Sequence, residues 1–135
     1  MTDTSTIRKT MHYAHSPEKV WDSISDGKAI SDWFIKADFK AEMGYQYTFT
    51  HEDTIINGEV KEVNRPKKLA YTWIIKGVGI ETLVEWILEE KDGGTELTIV
   101  HSGFDKYSDE KRESVFSAHS GGWEHQLSSL AKFLG

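Results

Sequence analysis

The sequence predicts an α+β fold in which a curved antiparallel sheet of seven strands wraps around one long C-terminal helix. Three observations predict it. In residues 121–134, GGWEHQLSSLAKFL, the side chains Trp123, Leu127, Leu130 and Leu134 fall at i, i+4, i+7 and i+11, one stripe of an α-helix. Most of the chain before it alternates apolar and polar residues with the period of half-buried strands. Short turn signals separate these segments, which favours an antiparallel meander. A helix with a single apolar stripe needs a surface to cover, and such a sheet offers one. Burying the four stripe residues contributes about 6–12 kcal/mol at ~1.5–3 each. That is comparable with the whole net stability of a domain, ~5–15 kcal/mol, so the last helix is expected to be required for folding.

The elements follow in order. Residues 7–13 alternate, with Ile7, Lys9, Met11 and Tyr13 on one face and Arg8, Thr10 and His12 on the other. Ser16-Pro17-Glu18 opens a helix: Ser16 suits the N-cap, Pro17 the first helical position and Glu18 the positive end of the dipole. Val20, Trp21 and Ile24 fall at helical spacing until Asp26-Gly27 ends the run. A second short helix places Ile30, Trp33 and Phe34 at i, i+3 and i+4. Trp21, Trp33 and Phe34 are expected to form the core of this helical corner or to line a cavity mouth.

Phe39 begins the next extended piece, and Tyr45, Tyr47 and Phe49 alternate with polar residues in a strand. Glu52-Asp53 turns the chain into a strand over residues 55–63. That strand contains Asn57-Gly58, a frequent hairpin dipeptide. A hairpin there would leave Ile55-Ile56 as a stub, so Gly58 is expected to mark a bulge or close packing within the strand. After the turn at Asn64-Arg65-Pro66, residues 69–75 put Leu69, Tyr71, Trp73 and Ile75 on one face. Gly77-Val78-Gly79 closes a hairpin onto residues 81–90, where Thr82, Val84, Trp86 and Leu88 share a face opposite Leu83, Glu85 and Ile87. Asp92-Gly93-Gly94 is a further hairpin signal. Residues 95–102 then carry Leu97, Ile99 and His101 opposite Thr98 and Val100. Ser108 is expected to cap a helical segment holding Val115, Phe116 and His119, and Gly121-Gly122 to interrupt it before the final helix as a hinge, a break or a place where the helix backbone touches the sheet.

Bulk properties narrow the function classes. A chain of 135 residues suits one domain with one substantial core. Aromatic residues make up 12%, including five Trp, enough bulk to fill or line an interior. The formal charge of −6 argues against non-specific nucleic-acid binding and against an anionic membrane surface. No cysteine is present, which removes disulfides, thiolate zinc sites and cysteine nucleophiles and fits a cytoplasmic setting. Residues 1–6 have neither the basic nor the apolar run of a signal peptide. No window approaches the ~20 apolar residues of a membrane span.

Five stretches carry a resemblance to a known family. They are residues 16–21 (SPEKVW), 30–34 (ISDWF), 69–73 (LAYTW), 94–104 (GTELTIVHSGF) and the closing Gly122-Trp123 with Leu127 and Leu130. In this order they resemble the START-like, birch-pollen-allergen-like (SRPBCC) superfamily. Within it they resemble the bacterial homologues of the activator of heat-shock protein 90 ATPase. The resemblance implies the helix-grip fold, with a cavity between sheet and C-terminal helix. It implies a superfamily that binds lipids, sterols, polyketides and other apolar ligands, with some members enzymes. The chaperone link in the family's name belongs to a eukaryotic protein in which this module is one part. Fold follows from such a resemblance far better than function.

Searches for catalytic signatures return little. Six histidines are present, but no HExxH, and His119 and His125 are six apart rather than at the i, i+4 spacing of a helical zinc pair. The GxSxG elbow and the phosphate-loop and dinucleotide fingerprints are absent. No catalytic residue, metal or cofactor is therefore assigned. The leading expectation is a non-catalytic module that binds a small hydrophobic or aromatic molecule. Its walls would be Trp33, Phe49, Trp73, Trp86, Ile99, Trp123, Leu127 and Leu130, with His101 as the polar group that orients the ligand. The competing expectation for His101 is a buried, hydrogen-bonded and inert histidine. The three tryptophans Trp73, Trp86 and Trp123 would fill the interior if no cavity exists. Two alternatives stand beside this. One is a chaperone- or stress-related interaction protein, or a homodimer, using Leu83, Ile87 and Val100 on the outer face. The other is a cyclase- or hydrolase-like enzyme with His101 as acid/base.

Overall fold

In the computed structural model, which describes residues 5–135, the elements run β1 (Thr6–Tyr13), α1 (Pro17–Ser25), α2 (Gly27–Trp33), β2 (Lys36–Asp38), β3 (Gln46–His51), β4 (Thr54–Asn64), β5 (Lys68–Ile75), β6 (Glu81–Lys91), β7 (Gly94–Ser102), a 3₁₀ turn (Phe104–Lys106) and α3 (Asp109–Leu134). Met1 to Thr4, on which the expectation of no signal peptide partly rests, lie outside the described residues. The strands form one antiparallel sheet in the order β1-β7-β6-β5-β4-β3-β2. Five successive pairings run from β2 to β7, and β1 then closes on β7, with Thr6 opposite Ser102 and Tyr13 opposite Thr95. The helix-grip architecture is thus present, with α1 packed on β6, β7 and α3.

Alternation places the core as the sequence predicts. Tyr47, Phe49, Val60, Leu69, Tyr71, Trp73, Val84, Trp86, Leu97, Ile99 and His101 face inward and are buried. Trp123, Leu127, Leu130 and Leu134 of α3 are buried against them. At the corner, Ser16 accepts from the Lys19 amide at 3.2 Å and Pro17 occupies the first helical position. Asp26 ends α1 and caps α2, accepting from the Ala29 amide at 3.2 Å. One residue therefore joins the two helices, its backbone N–H donating to the Asp22 carbonyl and its side chain capping α2. Trp21 is buried, and so is Trp33, whose indole N–H donates to the Ser23 carbonyl at 2.7 Å. The Asp92-Gly93 hairpin has positive φ at both residues, 52° and 77°, as a two-residue turn between paired Lys91 and Gly94 requires.

Three expectations need correction, and the choice left open at Gly58 is decided. Residues 36–38 form β2, so the extended piece begins before Phe39, which lies in the connection to β3 with its ring in the core. Gly58 is a site of close packing and not the bulge: a Cβ there would stand 2.1 Å from the Thr72 carbonyl oxygen. The register shift lies three residues on, between Val60 and Glu62. Ser108 occupies the N-cap position of α3, but its side chain makes no capping hydrogen bond. Finally, Gly121-Gly122 do not interrupt the helix. α3 runs unbroken through them for 26 residues, and a Cβ at either would meet nothing within 4 Å. Burial of the flanking turns overrides the weak helix propensity of two glycines, ~1 kcal/mol each.

Gly58 and Gly121 give opposite expectations for the same substitution. Gly58→Ala forces β4 away from β5 and should lower stability by about 1–3 kcal/mol, as overpacking does. Gly121→Ala adds a methyl in open space and should raise it by up to about 1 kcal/mol. Urea midpoints of the two variants check both signs.

Candidate functional site

The interior between sheet and helix is filled largely by aromatic side chains. Trp123 packs on Trp73 (ring centroids 5.2 Å apart) and edge-on to Trp86 (5.6 Å). Phe49 packs on Trp73 at 6.0 Å, and Tyr47 on Tyr71 at 5.0 Å. The bulk that fills the interior leaves space beside the middle turns of α3. There, an apolar-lined opening of about 200 Å³ is bounded by Phe34 at the end of α2, Trp73 of β5, and Ala118, His119, Gly122, Trp123 and Gln126 of α3.

Local sequence explains each wall. Phe34 caps the C-terminus of α2, where its ring reaches Trp123 and Phe49, each at 5.6 Å. Trp73 is an inward residue of β5. On α3, His119 and Trp123 are one turn apart, and Ala118, Gly122 and Gln126 form the adjacent row at i, i+4 and i+8. That row carries little bulk, so the opening persists.

Of the nine residues expected to contact a ligand, Trp73 and Trp123 line the opening. Trp33, Phe49, Trp86, Ile99, Leu127 and Leu130 pack behind it in the core. His101 is fully buried beside them, and its hydrogen bonds define its state. The Trp123 indole N–H, which can only donate, points at His101 Nδ1 at 3.0 Å. Nδ1 is therefore the acceptor, and the ring proton sits on Nε2. Nε2–H donates to Thr82 Oγ1 at 2.7 Å, and the Thr82 hydroxyl donates to the Trp73 carbonyl at 3.2 Å. Both nitrogens are engaged within the protein. Protonation of Nδ1 would set two donors against each other. Burial holds the His101 pKa well below its ordinary 6.5, with nearby His119 lowering it further.

His119 is the polar group the sequence reading did not place at the site. Its Nδ1 faces the Val115 carbonyl at 2.9 Å, so Nδ1 carries the proton. Burial lowers its pKa too, partly opposed by that hydrogen bond. In the neutral ring Nε2 is thus an acceptor. The ring packs against Phe104 at 5.2 Å, His101 at 5.3 Å and Trp73 at 6.2 Å. Trp73 Nε1 is buried and has no hydrogen-bond partner.

Other features bear on the alternatives. Among the described residues no cluster of three or more His, Asp or Glu is arranged to hold a metal. No helix of the described residues is long and apolar enough to cross a membrane. On the outer face Val100 is buried, and Leu83 and Ile87 are half-buried. They are interrupted by Glu85, which pairs with Lys68 at 3.1 Å.

Comparison with known proteins follows the same lines. A family model described as "Activator of Hsp90 ATPase homolog 1-like protein" matches residues 14–135. Protein MLL2253 from Mesorhizobium loti superposes with a TM-score of 0.87 at 25% identity, over 96% of each chain. Protein BH1534 from Bacillus halodurans gives 0.83 at 28% identity over 100% of both chains. CalU16 from Micromonospora echinospora gives 0.76 at 25% identity, over 96% of this chain and 76% of that one. No curated protein matches the chain.

The neutral state of His101 has a consequence for stability. An unfolded chain takes up a proton at this histidine near pH 6.5, whereas the folded chain does so only at lower pH. Below pH 6.5 the unfolded state therefore binds more protons, and stability falls as the pH falls. The slope reaches up to about 1.4 kcal/mol per pH unit for His101. Urea denaturation at pH 7.5 and 5.5 measures it, and equal stabilities at the two pH values would contradict the neutral network.

Proposed function

We propose that this chain, which belongs to the Activator of Hsp90 ATPase homolog 1-like protein family, binds one small hydrophobic or aromatic molecule without transforming it. The observation that carries the reading is the apolar opening between Phe34, Trp73 and the Ala118–Gly122–Gln126 row of α3. Its volume of about 200 Å³ exceeds the ~150 Å³ of an apolar cavity that holds benzene. It suits a molecule of one or two rings. Burial of apolar surface drives binding, and the aromatic walls supply flat, rigid contact area.

Within this reading the nine expected residues divide by task. Trp73 and Trp123 touch the ligand. Trp33, Phe49, Trp86, Ile99, Leu127 and Leu130 give the walls their position from behind. His101 holds Trp123 rather than the ligand. The same engagement of both His101 nitrogens favours binding over acid/base chemistry at that residue. No cofactor enters the reading, and a single domain in the cytoplasm suits a chain without cysteine.

Gly122 provides the test. Its Cβ position is open, so the first carbon of a leucine side chain at Gly122→Leu meets no protein atom beside the opening. The variant should keep or raise the melting temperature, because leucine favours helix over glycine by up to about 1 kcal/mol. It should also abolish displacement of an environment-sensitive dye by small aromatic ligands. A folded Gly122→Leu protein that binds them as the parent does would overturn the reading. Native mass spectrometry of the parent chain, followed by organic extraction, identifies the bound species.

A further inference from the structure

One side chain in the lining of the opening can change its charge near physiological pH. It is His119 of α3, which is half-buried. The other six lining residues, Phe34, Trp73, Ala118, Gly122, Trp123 and Gln126, do not ionise in this range. His119 Nδ1 carries the proton that faces the Val115 carbonyl at 2.9 Å, so a second proton enters at Nε2. Nε2 has no partner among the described residues and is not one of their buried unmatched atoms, Trp73 Nε1 and Arg112 Nε, so it keeps contact with water. The surroundings supply no charge. β5 places Trp73 against the ring, β7 places His101 and the 3₁₀ turn places Phe104. One turn away on α3 itself stand Val115, Phe116, Gly122 and Trp123. Only His101 among these titrates, and both of its nitrogens are engaged, by Trp123 and Thr82. The first proton that this interior takes up therefore goes to His119.

Resting on the binding reading above, we infer that the opening binds a neutral apolar molecule far better with His119 unprotonated, so that it holds its ligand near pH 7 and releases it in acid. The cause is desolvation. A ligand seated on the lining takes water from the exposed part of the ring, and an imidazolium loses far more by this than a neutral imidazole. The lining offers no carboxylate to compensate. Attraction of the imidazolium to an aromatic face is smaller than this cost. The sign follows by linkage. Burial already holds the His119 pKa below its ordinary 6.5 in the free protein, the Val115 bond partly opposing it, and the ligand lowers it further. Affinity is constant above the titration midpoint of the free protein. It falls by up to about tenfold per pH unit between the two midpoints and levels off below that of the complex. His101 is a separate matter, since its protonation weakens the fold whether or not a ligand is bound.

The probe is naphthalene, uncharged at every pH, titrated by calorimetry against the full chain at pH 7.5, 6.5, 5.5 and 4.5, with circular dichroism recorded at each. The parent protein should lose affinity as the pH falls while its spectrum holds, by up to about tenfold per pH unit, the limit for one proton. In the falling range the binding enthalpy should differ between buffers of different ionisation enthalpy, because a proton leaves as naphthalene enters. The imidazole resonances of His119 in the parent protein give a reading that needs no variant. Their titration midpoint should move to lower pH when naphthalene saturates the protein. His119→Gln should flatten the affinity profile, whatever its affinity at pH 7.5. An affinity that stays constant across the pH range in the folded parent would overturn the inference and leave the apolar binding reading intact. So would a His119 midpoint that naphthalene leaves in place, a His119→Gln protein with the parent's profile, or unfolding that precedes any loss of affinity. Failure of naphthalene to bind at pH 7.5 would overturn both.

Discussion

The indole N–H of Trp123 fastens the long helix to the sheet, and much of the interior follows from that one donor. A tryptophan brought from a helix onto a sheet arrives with a polar atom that has to be matched once water is gone. His101, near the C-terminal end of β7, matches it. That match fixes the tautomer, which turns the other ring nitrogen into a donor, which requires Thr82 on β6, whose hydroxyl closes on the Trp73 carbonyl of β5. Three neighbouring strands are thereby tied in sequence to a single helical position. Tyr13 adds a second tie from β1, its hydroxyl donating to the Leu127 carbonyl at 2.8 Å. Two polar anchors one helical turn apart fix the roll of α3 about its axis. That roll decides which row of α3 faces the core and which faces the opening.

Strand alternation was readable from sequence because one face of each strand is buried and the residue types say which. The capping residues of α1 and the Asp92-Gly93 turn were readable because their chemistry is local. Gly121-Gly122 were misread because propensity is also local, whereas continuity of the helix depends on packing at Phe116 and Trp123 on either side. The extended piece before β3 was placed from Phe39 rather than at Lys36–Asp38 because three residues carry too little pattern. At the site, Trp73 and Trp123 were visible as inward aromatic residues. Phe34 was visible as a residue of the helical corner or of a cavity mouth. Ala118, His119, Gly122 and Gln126 were not, since their place depends on the roll of α3. A signal did exist: the i, i+4, i+8 row of Ala118, Gly122 and Gln126 flanks the apolar stripe with unusually little volume.

Space for a ligand in this molecule is therefore defined by subtraction. Trp73, Trp86 and Trp123 occupy the centre that an emptier relative of this architecture would leave open. The opening survives where the helix offers a methyl group and a hydrogen atom in place of larger side chains. Membership of the family sets the frame, and the occupancy of a few interior positions sets what the frame can hold. Changes at Ala118 or Gly122 alter the opening without touching the hydrogen-bonded chain through His101.

Closure of the sheet by β1 and β7 gives the molecule a distinctive order of assembly. Partner residues in that pairing lie 82 to 96 positions apart along the chain. At a synthesis rate of roughly 5–20 residues per second, the first strand waits about 5–20 s for its neighbour to emerge. The covering helix emerges later still. During that interval the aromatic faces of β3 to β6 have neither edge partner nor lid. Contacts so distant in sequence also slow folding of the finished chain, because loop-closure entropy is lost before any stabilising contact forms. The protein's vulnerability to self-association thus belongs to its birth rather than to its native state.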